Sequence, residues 1–170
     1  MGGAQPLAAT MNLATFLAAD VDRARIEKLA EVQREVQQLG GQAVIVAGDI
    51  TDGGLRQRAL DAAQEQFGGL DCLINNAGVM PVGPFLDHTD ETVRSAVEVN
   101  FYGVLTGCRL MLPEMVARGH GHIVNIASLA GMLAVPGQAL YAGTKFAVVG
   151  LSTALDDEFA GTGVRVNCVM

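Results

Sequence analysis

The sequence of 170 residues predicts an α/β fold built on a parallel sheet. Short apolar runs alternate along the chain with longer segments of helical period, which is typical of repeated βα units. These runs are apolar on both faces, which indicates strands covered by helices on both sides. The chain is 50% apolar and 17% charged, a composition that favours a globular protein over a disordered one.

Each element is predicted from its own pattern. Residues 22–41 predict a first helix, with apolar side chains at spacings of three and four, Asp22 as N-cap and Gly40 at its end. The elements that follow are a strand at 42–52, a helix at 53–69, a strand at 70–78, a long helix at 89–118, a strand at 122–128, a helix at 138–161 and a strand at 164–170. Because no low-complexity or proline-rich linker divides them, we expect a single domain over residues 1–170.

The first twenty residues allow two interpretations. In one, residues 14–19 form a strand. In the other, Leu13, Leu17 and Val21 mark part of a helix by their spacing of four. We favour the strand, because the residues that follow have the pattern of an exit from a strand into a helix.

Charge and cysteine usage exclude several classes of function. The net charge of −7 argues against nucleic-acid binding, which depends on lysine and arginine. The three cysteines form no C-x-x-C pair, so we expect reduced thiols and a cytoplasmic protein. The first twenty residues lack a basic n-region and are interrupted by polar side chains, so we expect neither a signal peptide nor a membrane anchor.

A metal site is not expected. His120 and His122 alternate in the sequence and would face one way on a strand, as a pair of ligands could. No third ligand is evident, and a solvated loop before the strand is the simpler interpretation.

A serine, a tyrosine and a lysine suggest acid–base chemistry. Tyr141 and Lys145 lie four residues apart in a predicted helix and therefore share a face. A phenol exchanges protons poorly at neutral pH, so a catalytic tyrosine needs its ionised form stabilised, which a nearby ammonium favours. Ser128 ends a strand, where open α/β sheets hold ligands, and its hydroxyl suits a substrate oxygen. Taken alone, the Tyr–Lys pair would equally suit a surface helix.

Further motifs give this pair a context. Along the chain come Asn75-Asn76-Ala77-Gly78 at the end of a strand, Asn100 in the long helix, Ser128 at the end of the next strand, and Tyr141 with Lys145. Together these residues resemble the short-chain dehydrogenase/reductase family over residues 16–170. The resemblance implies a Rossmann-like, doubly wound parallel sheet. It also implies an NAD- or NADP-dependent oxidoreductase that acts on a small secondary alcohol or ketone.

The resemblance also implies roles for the catalytic group. Tyr141 would be the general acid/base, and Lys145 would favour its ionised form and hold the nicotinamide ribose. Ser128 would stabilise the carbonyl or alkoxide oxygen, and Asn100 would hold a water in a proton relay. For Asn100, a helix kink or a backbone cap is the alternative interpretation.

Other residues are assigned to the cofactor by the same resemblance. Those expected beside the riboses are Asn76, Ala77 and Gly78. Asp49 would accept from the adenine amino group, with Ile50 on the ring, although Asp49 could instead be an ordinary helix N-cap. Asp20 would accept from the ribose 2′-hydroxyl and repel a 2′-phosphate, which favours NAD over NADP.

The match is incomplete at both ends. The glycine-rich turn T-G-x-x-x-G-x-G is missing, so residues 1–15 count as a divergent segment, and the family's chain would continue beyond Met170. We therefore expect an incomplete sheet that lacks the first βα unit and the C-terminal strand. The alternative function is a truncated, catalytically impaired remnant that acts at most by association with relatives. Self-association is expected in either case, because the long helix and the Tyr–Lys helix often form a dimer interface in this family.

Overall fold

The structure is a computed structural model that describes residues 16–18 and 23–170. The chain divides into two compact units between Leu70 and Asp71. The single domain expected over residues 1–170 stays a prediction. Among the described residues, no helix is both long and apolar enough to cross a membrane.

The first unit contains two βα pairs. Its elements are β1 (Phe16–Ala18), α1 (Arg23–Gln38), β2 (Ala43–Ile45) and α2 (Gly53–Phe67). Strand β1 pairs in parallel with β2, with Leu17 opposite Val44. The interpretation of residues 14–19 as a strand is therefore confirmed over β1, and the helical alternative through Leu17 is wrong.

Each helix of the first unit ends at a glycine with a positive φ. Helix α1 is followed by Gly40 at φ 82°, and α2 by Gly68 at φ 77°, a left-handed conformation that costs glycine little. Asp52 caps the start of α2, and its carboxylate accepts from the Gly54 N–H. The N-cap predicted for α1, Asp22, lies outside the described residues.

The second unit is a three-stranded parallel sheet with helices. Its elements are β3 (Cys72–Asn75), α3 (Asp90–Val97), a π-helical segment (Glu98–Tyr102), α4 (Gly103–Arg118), β4 (Gly121–Ile126), α5 (Ala139–Glu158) and β5 (Val164–Val169). The strand order is β3-β4-β5, with β4 in the middle. The parallel sheet is the predicted fold class, and it places the carboxyl ends of β3, β4 and β5 at one edge.

The single long helix predicted over 89–118 is interrupted. Thr89 caps its start, and its side chain accepts from the Thr92 N–H. The π-helical segment then separates α3 from α4, and Gly103 N–H donates to the Glu98 carbonyl oxygen across the wider turn. π-Helical turns are frequent at functional sites, and this one contains Asn100.

A polar network lies inside the second unit, between the sheet and its helices. Asn125 of β4 is fully buried, and its Oδ1 accepts from Asn75 Nδ2 at 2.8 Å. Its Nδ2 donates to Ser152 Oγ of α5 at 3.0 Å and lies 3.7 Å from Cys108 Sγ of α4. Because buried polar groups need partners, these bonds fix two strands and two helices in one arrangement.

Gly107 gives this network its space. A Cβ on Gly107 would lie 2.4 Å from Asn75 Oδ1, so Asn75 would have to move away from Asn125. We expect Gly107→Ala to lower the free energy of unfolding by about 1–3 kcal/mol in urea denaturation. Gly150→Ala is the matched control, because Gly150 is also helical and has no atom within 4 Å of its Cβ position. Gly150→Ala should raise the free energy of unfolding by about 0.5–1 kcal/mol. Equal free energies of unfolding for the two variants would show that the network does not need the space at Gly107.

Candidate active site

Tyr141 and Lys145 lie together near the carboxyl end of β4. Both side chains are buried, with 6% and 4% of their surface exposed. The Lys145 Nζ atom lies 5.8 Å from the centre of the Tyr141 ring, within the range of a cation–π contact. Tyr141 and Lys145 therefore share one side of α5, as predicted, and that side is turned toward the interior.

Among the residues that the structure describes, the Lys145 ammonium has one direct acceptor, the Ile126 carbonyl oxygen, at 2.8 Å. Burial lowers the pKa of Lys145, and the smaller charge interaction with Cys168 acts in the opposite direction. An ammonium has three N–H donors, so two remain for a ligand.

Ser128 begins a short turn that rests on α5. Its Oγ accepts from the Ala130 N–H at 3.2 Å, which leaves the hydroxyl hydrogen for another acceptor. Ala130 packs with Tyr141 in one buried cluster. A Cβ on Gly131 would lie 2.8 Å from the Lys145 carbonyl oxygen, so only glycine lets the turn approach α5 this closely.

The Asn100 side chain is fully buried and holds the loop after β3. Its Oδ1 accepts from the Val79 N–H at 2.8 Å, and its Nδ2 donates to the Val79 carbonyl oxygen at 2.9 Å. The Nδ2 group also donates to Thr144 Oγ1 at 3.0 Å. Both amide hydrogens are therefore in use, and one lone pair of Oδ1 remains.

The loop of Asn76, Ala77 and Gly78 lies in front of Lys145. A Cβ on Gly78 would lie 3.4 Å from Asn100 Oδ1 and 3.7 Å from Lys145 Nζ. Such an atom would fill the space beside the ammonium. This opening suits a hydroxyl group of a ribose, so the residues present fit a dinucleotide cofactor at this point.

The residues expected at the adenine end belong to the first unit. Asp49 is exposed, and its Oδ1 accepts from both the N–H and the hydroxyl of Thr51, each at 2.8 Å. These bonds lower the pKa of Asp49, the main-chain one most. The interpretation of Asp49 as a helix N-cap is wrong, because Asp52 caps α2. Ile50 is half-buried, and Asp20 lies outside the described residues.

His120 and His122 bond with different residues. His120 Nε2 bonds with Asp71 at 3.2 Å, whereas His122 bonds with Asn167. Within residues 16–18 and 23–170, no group of three or more His, Cys, Asp or Glu side chains is arranged to hold a metal ion.

Two contributors to this site were missed by the sequence analysis. Gly131 follows Ser128 by three residues, and Thr144 immediately precedes Lys145. The helical spacing of three between Tyr141 and Thr144 was the available signal for Thr144. Nothing local in the sequence indicates its bond to Asn100, which lies 44 residues away.

Comparisons with known proteins identify relatives. The family model for short chain dehydrogenases matches residues 8–170. The oxidoreductase UcpA of Escherichia coli strain K12 is 41% identical over 145 residues, which cover 85% of this chain and 54% of that protein. The 2,5-dichloro-2,5-cyclohexadiene-1,4-diol dehydrogenase LinX of Sphingobium indicum is 39% identical over 145 residues, which cover 85% of this chain and 58% of that protein. The 2-(R)-hydroxypropyl-CoM dehydrogenase of Xanthobacter autotrophicus is 39% identical over 127 residues, which cover 73% of this chain and 51% of that protein.

The chain thus spans about half the length of the relatives that it matches. The family match covers nearly all of the chain, including both units. With its incomplete Rossmann-like sheet, the chain belongs to the short-chain dehydrogenase/reductase family of oxidoreductases.

Proposed function

We propose that this chain transfers hydride between a nicotinamide cofactor and a secondary alcohol or ketone, with Tyr141 as general acid/base. The observation that carries the proposal is the buried pair of Tyr141 and Lys145. A buried ammonium favours negative charge on a neighbouring phenol oxygen, because little water screens the two groups. Tyr141 would take the hydroxyl proton during oxidation and return it to the carbonyl oxygen during reduction.

Ser128 supports this step as a hydrogen-bond donor. Its Oγ already accepts from Ala130, and its hydroxyl hydrogen remains available for another acceptor. A substrate oxygen that gains negative charge is such an acceptor, and a donor aimed at developing charge stabilises the transition state. The turn is fixed against α5 at Gly131, which holds this donor near Tyr141.

The cofactor is NAD or NADP, and the nicotinamide ring supplies or accepts the hydride when it is bound. Lys145 would hold the nicotinamide ribose with its two remaining N–H groups, beside Gly78. Asp49 and Ile50 would contact the adenine. The preference for NAD rests on Asp20 and stays a prediction, as do self-association and the cytoplasmic location.

Asn100 is proposed to hold the relay water. Its amide hydrogens are bonded to Val79 and Thr144, so the side chain offers only the second lone pair of Oδ1. Its first contribution is therefore to fix the loop after β3, and the water would contact Oδ1 or the main chain of the π-helical segment.

The loops around the site favour an uncharged, apolar substrate. Nine exposed apolar side chains, here called the apolar rim, follow β3 and β4: Val79, Met80, Val82, Phe85, Leu86, Leu129, Met132, Leu133 and Val135. The Gly83 N–H donates to the Gly137 carbonyl oxygen at 2.9 Å and joins the two loops. Residues 76–89 and 127–140 contain no lysine or arginine, so neither loop offers a permanent cation for a carboxylate or phosphate.

Tyr141→Phe tests the mechanism, because it removes the proton-carrying hydroxyl and keeps the ring. We expect oxidoreductase activity to fall by at least about 100-fold, while NADH still binds in a fluorescence titration. Tyr102→Phe is the matched control, since Tyr102 is the other tyrosine and is 46% exposed. Undiminished activity in Tyr141→Phe would sink the mechanism. Absence of NADH binding to the wild-type chain at about 1 mM would instead favour the impaired remnant.

The buried charge of Lys145 predicts a pH dependence of stability. Between its lowered pKa and the ordinary value of 10.5, the unfolded chain binds more protons than the folded chain, so stability rises with pH. The free energy of unfolding of the wild type, minus that of Lys145→Met, should therefore increase from neutral pH to about pH 10. Urea denaturation of both proteins at several pH values measures this difference in the free energy of unfolding. Arg109→Met, which removes an exposed cation, should show no such trend, and a constant difference for Lys145→Met would contradict the prediction.

Substrate competition tests the apolar rim. An uncharged cyclic ketone should be reduced with kcat/KM at least about tenfold above that of a matched keto acid, because the rim offers the carboxylate no partner. Leu133→Lys places a cation on the rim, where Leu133 is 71% exposed, and should narrow this ratio. Equal kcat/KM for both substrates in the wild type would show that the rim does not select the substrate.

A further inference from the structure

The single hydrogen of the Thr144 hydroxyl is already used in a hydrogen bond within α5. Thr144 lies in α5 between Tyr141 and Lys145, and its side chain is buried, with 6% exposed. Its Oγ1 donates to the Tyr141 carbonyl oxygen at 2.7 Å. Toward any other group the oxygen can therefore only accept.

This bond of the Thr144 hydroxyl and the Val79 main chain require the same orientation of the Asn100 amide. The Asn100 group next to Thr144 must be a donor, so Nδ2 faces Oγ1, at 3.0 Å. Once Nδ2 faces Thr144 and the Val79 carbonyl, Oδ1 is left to accept from the Val79 N–H. A reversed amide would place Oδ1 against the Thr144 oxygen and Nδ2 against the Val79 N–H, and both contacts would be repulsive.

We propose that Thr144 is a positioning residue that anchors the Asn100 amide in this orientation and thereby fixes the loop after β3 in front of Lys145. The order of bonds is Tyr141 carbonyl, Thr144 hydroxyl, Asn100 amide and Val79 main chain. Gly78, which precedes Val79, borders the space beside the ammonium. The structural part of this inference is independent of the proposed function, whereas its effect on cofactor affinity rests on it.

A purely local role for Thr144 makes a different prediction. Threonines in helices often bond back to a carbonyl of the preceding turn. Thr153 of α5 does so, since its Oγ1 donates to the Val149 carbonyl oxygen at 3.0 Å on an exposed surface. If Thr144 acted only in this way, removal of its hydroxyl would affect α5 and leave Val79 unchanged.

Amide hydrogen exchange, measured by NMR, tests the inference. In Thr144→Val, which keeps the shape but cannot accept a hydrogen bond, the Val79 N–H should exchange at least about tenfold faster. The Ala127 N–H, which bonds to the Val169 carbonyl oxygen, should keep its protection. Thr144→Ser should restore slow exchange at Val79, and Thr153→Val should leave it unchanged. Unchanged Val79 exchange in Thr144→Val, or no recovery in Thr144→Ser, would overturn the proposal.

A second measurement needs no variant and applies if Thr144→Val fails to fold. In the wild type, both Nδ2 hydrogens of Asn100 are bonded and buried, so they should exchange slowly with solvent. Rapid exchange of either hydrogen would overturn the orientation inferred here.

Cofactor titration separates this inference from the proposed function. Where the wild type binds NADH, Thr144→Val should raise the dissociation constant by about tenfold and Thr144→Ser should restore it. An unchanged dissociation constant in Thr144→Val would overturn the link to the cofactor. If the wild type binds no NADH, the proposed function fails, and the exchange experiment still decides whether Thr144 anchors Asn100.

Discussion

The buried ammonium of Lys145 is the constraint on which the rest of the site depends. Removing a charge from water is costly, and here one carbonyl, that of Ile126, and one aromatic ring offset the cost in part. The remaining N–H groups are left for a ligand. Over the part of the chain that the structure describes, a charge held in this way is incompletely satisfied, which favours any bound molecule that brings hydroxyl oxygens to it.

Two glycines make this arrangement possible, for different reasons. Gly131 lets the turn after β4 contact the main chain of α5 at Lys145, where any Cβ would overlap the carbonyl. Gly78 instead keeps the front of the ammonium open, since a Cβ there would sit at ordinary contact distance. Close packing behind the lysine and open space before it therefore both depend on the absence of a side chain.

The sequence predicted the strands, the helices and the Tyr–Lys face better than it predicted their connections. The spacing of four identified Tyr141 and Lys145 because a helix repeats every 3.6 residues. A helix kink was an alternative interpretation for Asn100, but the π-helical segment at 98–102 was not predicted, because one wider turn hardly changes the apolar pattern of the long helix. The buried network around Asn125 was missed as well, since its partners come from β3, α4 and α5. Hydrogen-bond partners that are distant in sequence are set by packing, which a single sequence does not reveal.

The residues proposed for the chemistry and those proposed for the adenine belong to different units. Asn100, Ser128, Tyr141 and Lys145 all belong to residues 71–170, whereas Asp49 and Ile50 belong to the first unit. In the second unit, Ser128 follows one of the parallel strands, β4, whereas Asn100 lies in the π-helical segment and Tyr141 and Lys145 lie in α5. The buried network of this unit joins β3 and β4 to α4 and α5, so the positions of the reacting groups follow from the folding of this unit.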